Sequence, residues 1–165
     1  MPVSRRRLTA RGTKPIRKQK PGYEYFYLYG AIEPETGQRF FLEQERLNGD
    51  CFQVFLDGFA RSFPRSQNVM ILDNGSFHKA KKLKVPSNVR LVFLPPYSPE
   101  LNPVERFWEA VKDQVAIDQM ALGGQASLAD LRQDVRAHVM SYVDEAVASL
   151  TGYPYLMEAT SALLS

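Results

Sequence analysis

The chain of 165 residues carries a single cysteine, Cys51. One thiol cannot close an internal disulfide, so the fold must be held by its core, and a reducing cytoplasm is the expected compartment. No apolar run approaches the roughly 18 residues of a membrane span, so no membrane partner is expected. A signal-peptide pattern is also missing: the basic residues at the N-terminus lead to Pro15 and Pro21 with no apolar segment behind them. Internal repeats and low-complexity linkers are absent. Acid is absent from the front of the chain, where nothing acidic precedes Glu24.

What is present begins with an uneven charge. The net charge is only +3, yet Arg5, Arg6, Arg7, Arg11, Lys14, Arg17, Lys18 and Lys20 all fall within residues 1–20. That stretch reads as a basic, irregular segment, and residues 21–165 read as one domain long enough to bury a core. A second cluster comprises Lys79, Lys81, Lys82 and Lys84. Such clusters can neutralise DNA phosphates and give salt-sensitive, sequence-independent affinity. The plainer alternative is a solvated tail and a charged helix face.

Local patterns predict alternating elements. Tyr23 to Ile32 is rich in aromatic and β-branched residues and reads as a strand, with Arg39 to Glu43 as its hairpin partner across Glu33–Gly37. Phe52, Phe55, Leu56 and Phe59 fall at helical spacing, which predicts a helix from Asp50 to Phe63, ending before Pro64. Val69–Leu72 and Val89–Leu94 are short apolar runs of the kind buried on both faces, and residues 77–84 read as a short helix. Asn102 caps a further helix, with Pro103 at its first position and Glu105 at its third. After Gly123-Gly124, Ser127 caps one long helix whose stripe is Leu128, Leu131, Val135, Val139, Val143 and Val147. The order indicates an α/β layer structure with a mixed sheet.

Two carboxylates draw attention within this frame. Asp73 ends the run Val69-Met70-Ile71-Leu72-Asp73-Asn74-Gly75, with His78 five residues on, and Glu105 sits on the first turn of a helix. A pair of this kind, with 31 residues between its members, suits a divalent-metal site for phosphate-ester chemistry. Each residue also has an ordinary explanation. Asp73-Asn74-Gly75 suits a turn, Glu105 suits a capping box, His78 suits a polar contact and Trp108 suits the core.

Together the motifs say more. Asp73-Asn74, His78 and Leu94-Pro95-Pro96-Tyr97-Ser98-Pro99-Glu100-Leu101-Asn102-Pro103-Val104-Glu105, with Trp108 three residues on, closely resemble the catalytic domain of the IS630/Tc1/mariner transposases. Tyr27-Leu28-Tyr29-Gly30-Ala31 and the helix from Asp50 to Phe63 resemble its bacterial IS630 branch. The resemblance implies an RNase H-like fold, a five-stranded mixed sheet flanked by helices. It also implies a DDE endonuclease that cuts and joins DNA with three acids and two Mg²⁺ or Mn²⁺ ions. Carried over by motif, Asp73 matches the second acid and Glu105 the third, both as catalytic residues and as metal ligands. Asn74, His78 and Asn102 would support them, and Arg5, Arg6, Arg7, Lys79, Lys81 and Lys82 would meet DNA. The implied partners are transposon-end and target DNA, with a homodimer or an upstream transposase product.

The chain departs from that pattern at its front. The family's first acid lies on the first, central strand, ahead of the segment that Val3-Ser4-Arg5-Arg6-Arg7 resembles. The expectation is therefore an incomplete transposase, from a split, frameshifted or decayed gene, with two strand edges open in mid-sheet and no complete site of its own. A catalytically inactive DNA-binding or dimerising transposase fragment is the alternative. An unrelated metal phosphoesterase or nuclease of the same fold is a third reading, which the proline-rich motif disfavours.

Overall fold

The computed structural model describes residues 25–96, 102–121, 123, 127–155 and 158. Outside them lie the basic segment 1–20 with Arg5, Arg6 and Arg7, the proline-rich stretch 97–101, and Gly124. The order is β1 (Tyr27–Ile32), β2 (Arg39–Gln44), α1 (Gly49–Ser62), β3 (Asn68–Leu72), a 3₁₀ turn (Ser76–Lys79), β4 (Val89–Phe93), α2 (Pro103–Ala121), α3 (Leu128–Ser141) and α4 (Asp144–Thr151).

The strands form two pairs. β1 and β2 run antiparallel, in register from Tyr27↔Gln44 to Ile32↔Arg39. β3 and β4 run parallel, from Asn68↔Val89 to Leu72↔Phe93. Among the described residues no ladder joins the pairs, which stand as two two-stranded sheets; this mixed α/β arrangement is compatible with the expected RNase H-like fold.

Alternation along the β1–β2 hairpin feeds two cores. Tyr29 with Phe40 and Leu42 packs on Phe52, Phe55 and Leu56 of α1, while Leu28, Ile32 and Phe41 pack on Phe107, Val111 and Val115 of α2. Period-two side-chain direction is what lets one hairpin serve both layers. Burial of Phe52, Leu56 and Phe107, each almost wholly hidden, stabilises the fold by about 1.5–3 kcal/mol per side chain. Gly30 is needed where α2 crosses the hairpin. A Cβ there would stand 2.5 Å from Phe41 Cε1 and 2.9 Å from Trp108 Cζ2.

Helix α1 begins as its sequence predicts, with the Asn48 side chain accepting from Cys51 N at 2.8 Å and Asp50 in the first turn. Helix α2 begins at Pro103, with Asn102 Oδ1 accepting from Val104 N at 3.3 Å. At its far end Gly123 takes φ +73°, a left-handed conformation suited to glycine, and donates to Met120 O at 3.2 Å.

Three expectations are corrected. The long helix after Ser127 is two helices, because Tyr142 and Val143 take extended backbone angles between α3 and α4. Arg39 stabilises that break: it donates to Tyr142 O and pairs with Asp144 Oδ1 at 2.6 Å, at the positive end of α4. Val143, expected in the apolar stripe, is 62% exposed as a result. Among the described residues, strand β3 is covered on one face only. Met70 and Leu72 enter the α1 core, whereas Val69 and Ile71 point away from it and belong to neither core cluster. The helix expected over 77–84 is a single 3₁₀ turn, because Ala80 is already extended.

Candidate active site

Asp73 directly follows β3, where the chain leaves the sheet. Its Oδ1 accepts from Gly75 N at 2.9 Å, closing a local turn, and lies 2.8 Å from His78 Nδ1. The 3₁₀ turn folds the imidazole back across those five residues. The ring is wedged against Phe52 and Phe77, with centroids 4.6 and 4.0 Å away. Burial pushes the His78 pKa below its ordinary value and outweighs the opposing pull of Asp73. A neutral ring with its proton on Nδ1 suits this geometry, donating to Asp73 and holding one carboxylate oxygen in place. The Asp73 side chain is 56% exposed, so it remains open to a ligand.

Asn74 anchors the same loop. Its side-chain amide donates to Leu94 O at 2.6 Å, and its oxygen accepts from Lys79 Nζ. The Lys79 ammonium also sits 5.0 Å from the centre of the Phe93 ring. Lys81 and Lys82 are exposed on the loop that follows, and Gln53 of α1 holds that loop in place. It donates to Lys84 O at 2.9 Å and accepts from Lys84 N at 2.7 Å. Lys79, Lys81 and Lys82 are therefore on the chain segment just beyond Asp73. The sequence marks Leu94 only as the last residue of the apolar run Val89–Leu94; its carbonyl is the anchor of this loop.

Glu105 is exposed on the first turn of α2, and its backbone N donates to Asn102 O at 3.1 Å. A groove of about 320 Å³ is lined both by Leu72, next to Asp73, and by Asn102, Pro103 and Val104, just ahead of Glu105. Neither Asp73 nor Glu105 lines this groove itself; each directly follows a residue that does. Exposed carboxylate oxygens are hard donors of the kind Mg²⁺ or Mn²⁺ takes. Among the described residues, however, no three His, Cys, Asp or Glu side chains stand together as a metal-holding group. The donor chemistry fits a divalent ion, but the donor number is short.

The pattern of the DDE superfamily endonucleases matches residues 1–122. The chain belongs to that family. An uncharacterized protein y4pE/y4sA of Sinorhizobium fredii is 41% identical over 88 residues, which cover 53% of this chain and 65% of that protein. The insertion element IS630 uncharacterized 39 kDa protein of Shigella sonnei is 30% identical over 97 residues, 56% of this chain and 28% of that protein. The chain thus spans less than two thirds of the length of these relatives. No solved structure matches it. The family and the IS630 relative agree with the resemblance to IS630-type DDE transposases that the sequence motifs carry. Enzymes of this superfamily use divalent metals. Among the described residues no helix is long and apolar enough to cross a membrane.

Proposed function

We propose that residues 21–165 belong to an RNase H-like DDE transposase catalytic domain, with residues 1–20 as a basic DNA-contacting arm. Asp73 and Glu105 are two of its three acids, and no third acid stands beside them among the described residues. The observation that carries this reading is the shared groove bordered by Leu72 and Asn102–Val104, within a chain of DDE family membership.

Asp73 and Glu105 would hold Mg²⁺ or Mn²⁺, two ions in the complete site. Those ions would supply activation of the attacking oxygen and stabilisation of the departing one at a phosphodiester. The chain's own residues then have distinct tasks. His78 Nδ1–H orients Asp73 and leaves its second oxygen for the ligand. Asn74 fixes the loop by its bond to Leu94 O, and Asn102 sets the first turn of α2 on which Glu105 rides. Lys79, Lys81 and Lys82, with Arg5, Arg6 and Arg7, neutralise DNA phosphates. The partners are transposon-end and target DNA and a second transposase chain, in the bacterial cytoplasm.

The test is nicking of supercoiled plasmid with Mn²⁺, by the chain alone and by the chain mixed with a protein carrying the upstream strand. Cleavage in the mixture that disappears with Asp73→Ala or Glu105→Ala is the expected result. Cleavage indifferent to both substitutions would remove these residues from the site. A second reading, a non-catalytic DNA-binding or dimerising fragment, draws on the lack of a third acid beside them among the described residues. It requires salt-sensitive DNA binding with no cleavage in either tube, and Mn²⁺ affinity unchanged in Asp73→Ala.

A further inference from the structure

Arg132 and Arg136 lie one turn apart on α3 and close on a single carboxylate of β2. Arg132 Nη2 pairs with Glu43 Oε1, while Arg136 donates to Glu43 Oε2 from Nε at 2.9 Å and from Nη2 at 2.7 Å. Those bonds use one nitrogen of Arg132 and two of Arg136. A guanidinium carries five N–H donors in a rigid fork, so each arginine retains donors for a second acceptor. The exposures are lopsided: 49% and 59% for the two arginine side chains, against 13% for Glu43. The carboxylate is sheltered, and the guanidiniums it tethers face solvent.

The two arginines form one wall of an open recess of about 420 Å³, whose lining also includes Arg46, Glu45 and Cys51. Three guanidiniums there meet two carboxylates, Glu43 and Glu45, which leaves a positive excess suited to an anion. The recess also lies at the end of the fold that carries Asp73. Cys51 belongs to the first turn of α1, and that turn packs on the segment beyond Asp73. The Phe52 ring is 4.6 Å from His78, and a Cβ on Gly49 would stand 2.8 Å from Ala80 Cβ. Exposed Lys81 and Lys82 follow Ala80, and Gln53 holds their loop to α1 through Lys84. Cys51 and Gln53, two residues apart, point to opposite sides of the helix. Cations therefore flank the start of α1 on both sides, separated by a helix diameter of roughly 10 Å. A DNA duplex carries a charge about every 1.7 Å of its axis, so one lying across this end meets both groups at once.

We propose that the recess between β2 and α3 is a phosphate-binding site for DNA, in which Arg132 and Arg136 hold a backbone phosphate and Arg46 adds a further contact. The inference deepens the proposed function and rests on it for DNA as the source of the phosphate. An ion-pair tie between β2 and α3 is the plainer role of the cluster, and it makes the opposite prediction for Glu43. If the arginines serve only to tie, losing the carboxylate and losing the guanidiniums have the same effect. If they hold phosphate, Glu43→Gln keeps an oxygen to accept from them and removes a negative charge beside the ligand.

The experiment measures binding of the full chain to a short fluorescein-labelled DNA duplex in EDTA, across a series of salt concentrations. Arg132→Gln combined with Arg136→Gln should flatten the plot of log affinity against log salt by about two, and weaken binding at low salt about tenfold or more. Arg46→Gln should flatten it by about one, and keeps the test valid if the double variant fails to fold. Glu43→Gln should lower Tm while duplex affinity holds or rises. Affinity that falls with Tm in Glu43→Gln would overturn the proposal. So would a wild-type slope in the arginine variants. Inorganic phosphate tests the other source of the same chemistry. A rise in Tm with phosphate that the double variant loses, with duplex affinity unchanged, would assign the recess to a free anion and overturn the DNA reading. The binding assay needs no metal, so the expected loss of slope without plasmid cleavage would leave the site standing and count against the chemistry alone.

Discussion

Asn74 donates its side-chain amide to the Leu94 carbonyl at 2.6 Å, joining the loop that carries Asp73 to the residue that follows β4. Leu94 in turn donates its N–H to Leu72 O at 2.8 Å, so the loop is held from both ends of one residue. Replacing Asn74 by Ala leaves the partly buried Leu94 carbonyl with one partner fewer. A loss of about 0.5–1.5 kcal/mol in urea unfolding is expected. Metal-dependent nicking in the complemented assay should fall by more than that stability loss accounts for, because Asp73 is no longer positioned.

Phe107 is the centre of the second core. It is fully buried, stacks on Phe41 at 5.5 Å and meets Trp108 and Tyr142 edge-on at 5.6 and 5.4 Å. Phe107→Ala should cost about 3–5 kcal/mol, through lost transfer energy and the cavity left behind. A shift of the urea midpoint with an unchanged slope would report it.

Gly37 couples the hairpin turn to α4. It takes φ +77°, and a Cβ there would stand 1.9 Å from the Asp144 carbonyl oxygen. Gly37→Ala should therefore destabilise the fold by more than the 1–2 kcal/mol or so of the left-handed backbone alone, read as a lowered Tm.

Glu43 bridges β2 to α3, pairing with Arg132 and, at 2.7 Å, with Arg136. Burial pushes its carboxyl up, but the two guanidiniums outweigh it and hold the pKa below the ordinary 4.5. A lowered folded pKa contributes stability that is present above the unfolded value and is lost as pH falls through the folded one. Tm should therefore fall as pH drops below about 4.5, and Glu43→Gln should flatten that part of the profile while lowering Tm at pH 7.

Much of the local structure is legible residue by residue. The phenylalanine spacing of α1 specifies a helix and its buried face. Asn102-Pro103 specifies where α2 begins, since a capping side chain and a proline at the first position act within one turn. The single break between α3 and α4 is not legible, because the group that stabilises it, Arg39, is remote in sequence. The same holds for His78. Its spacing from Asp73 permits a contact, but the ring is held there by Phe52 of α1, a residue of another element.

The sequence by itself determined the hairpin, α1, the strands β3 and β4, the start of α2 and the family, because periodicity, capping and motif are encoded within short stretches. Only the tertiary structure decided that, among the described residues, the strands form two separate pairs and β3 hides one face alone. It also brought Leu72 and Asn102–Val104 to one groove. Pairing and burial depend on which neighbours exist in space. A strand carries the same apolar letters whether or not a partner lies beside it.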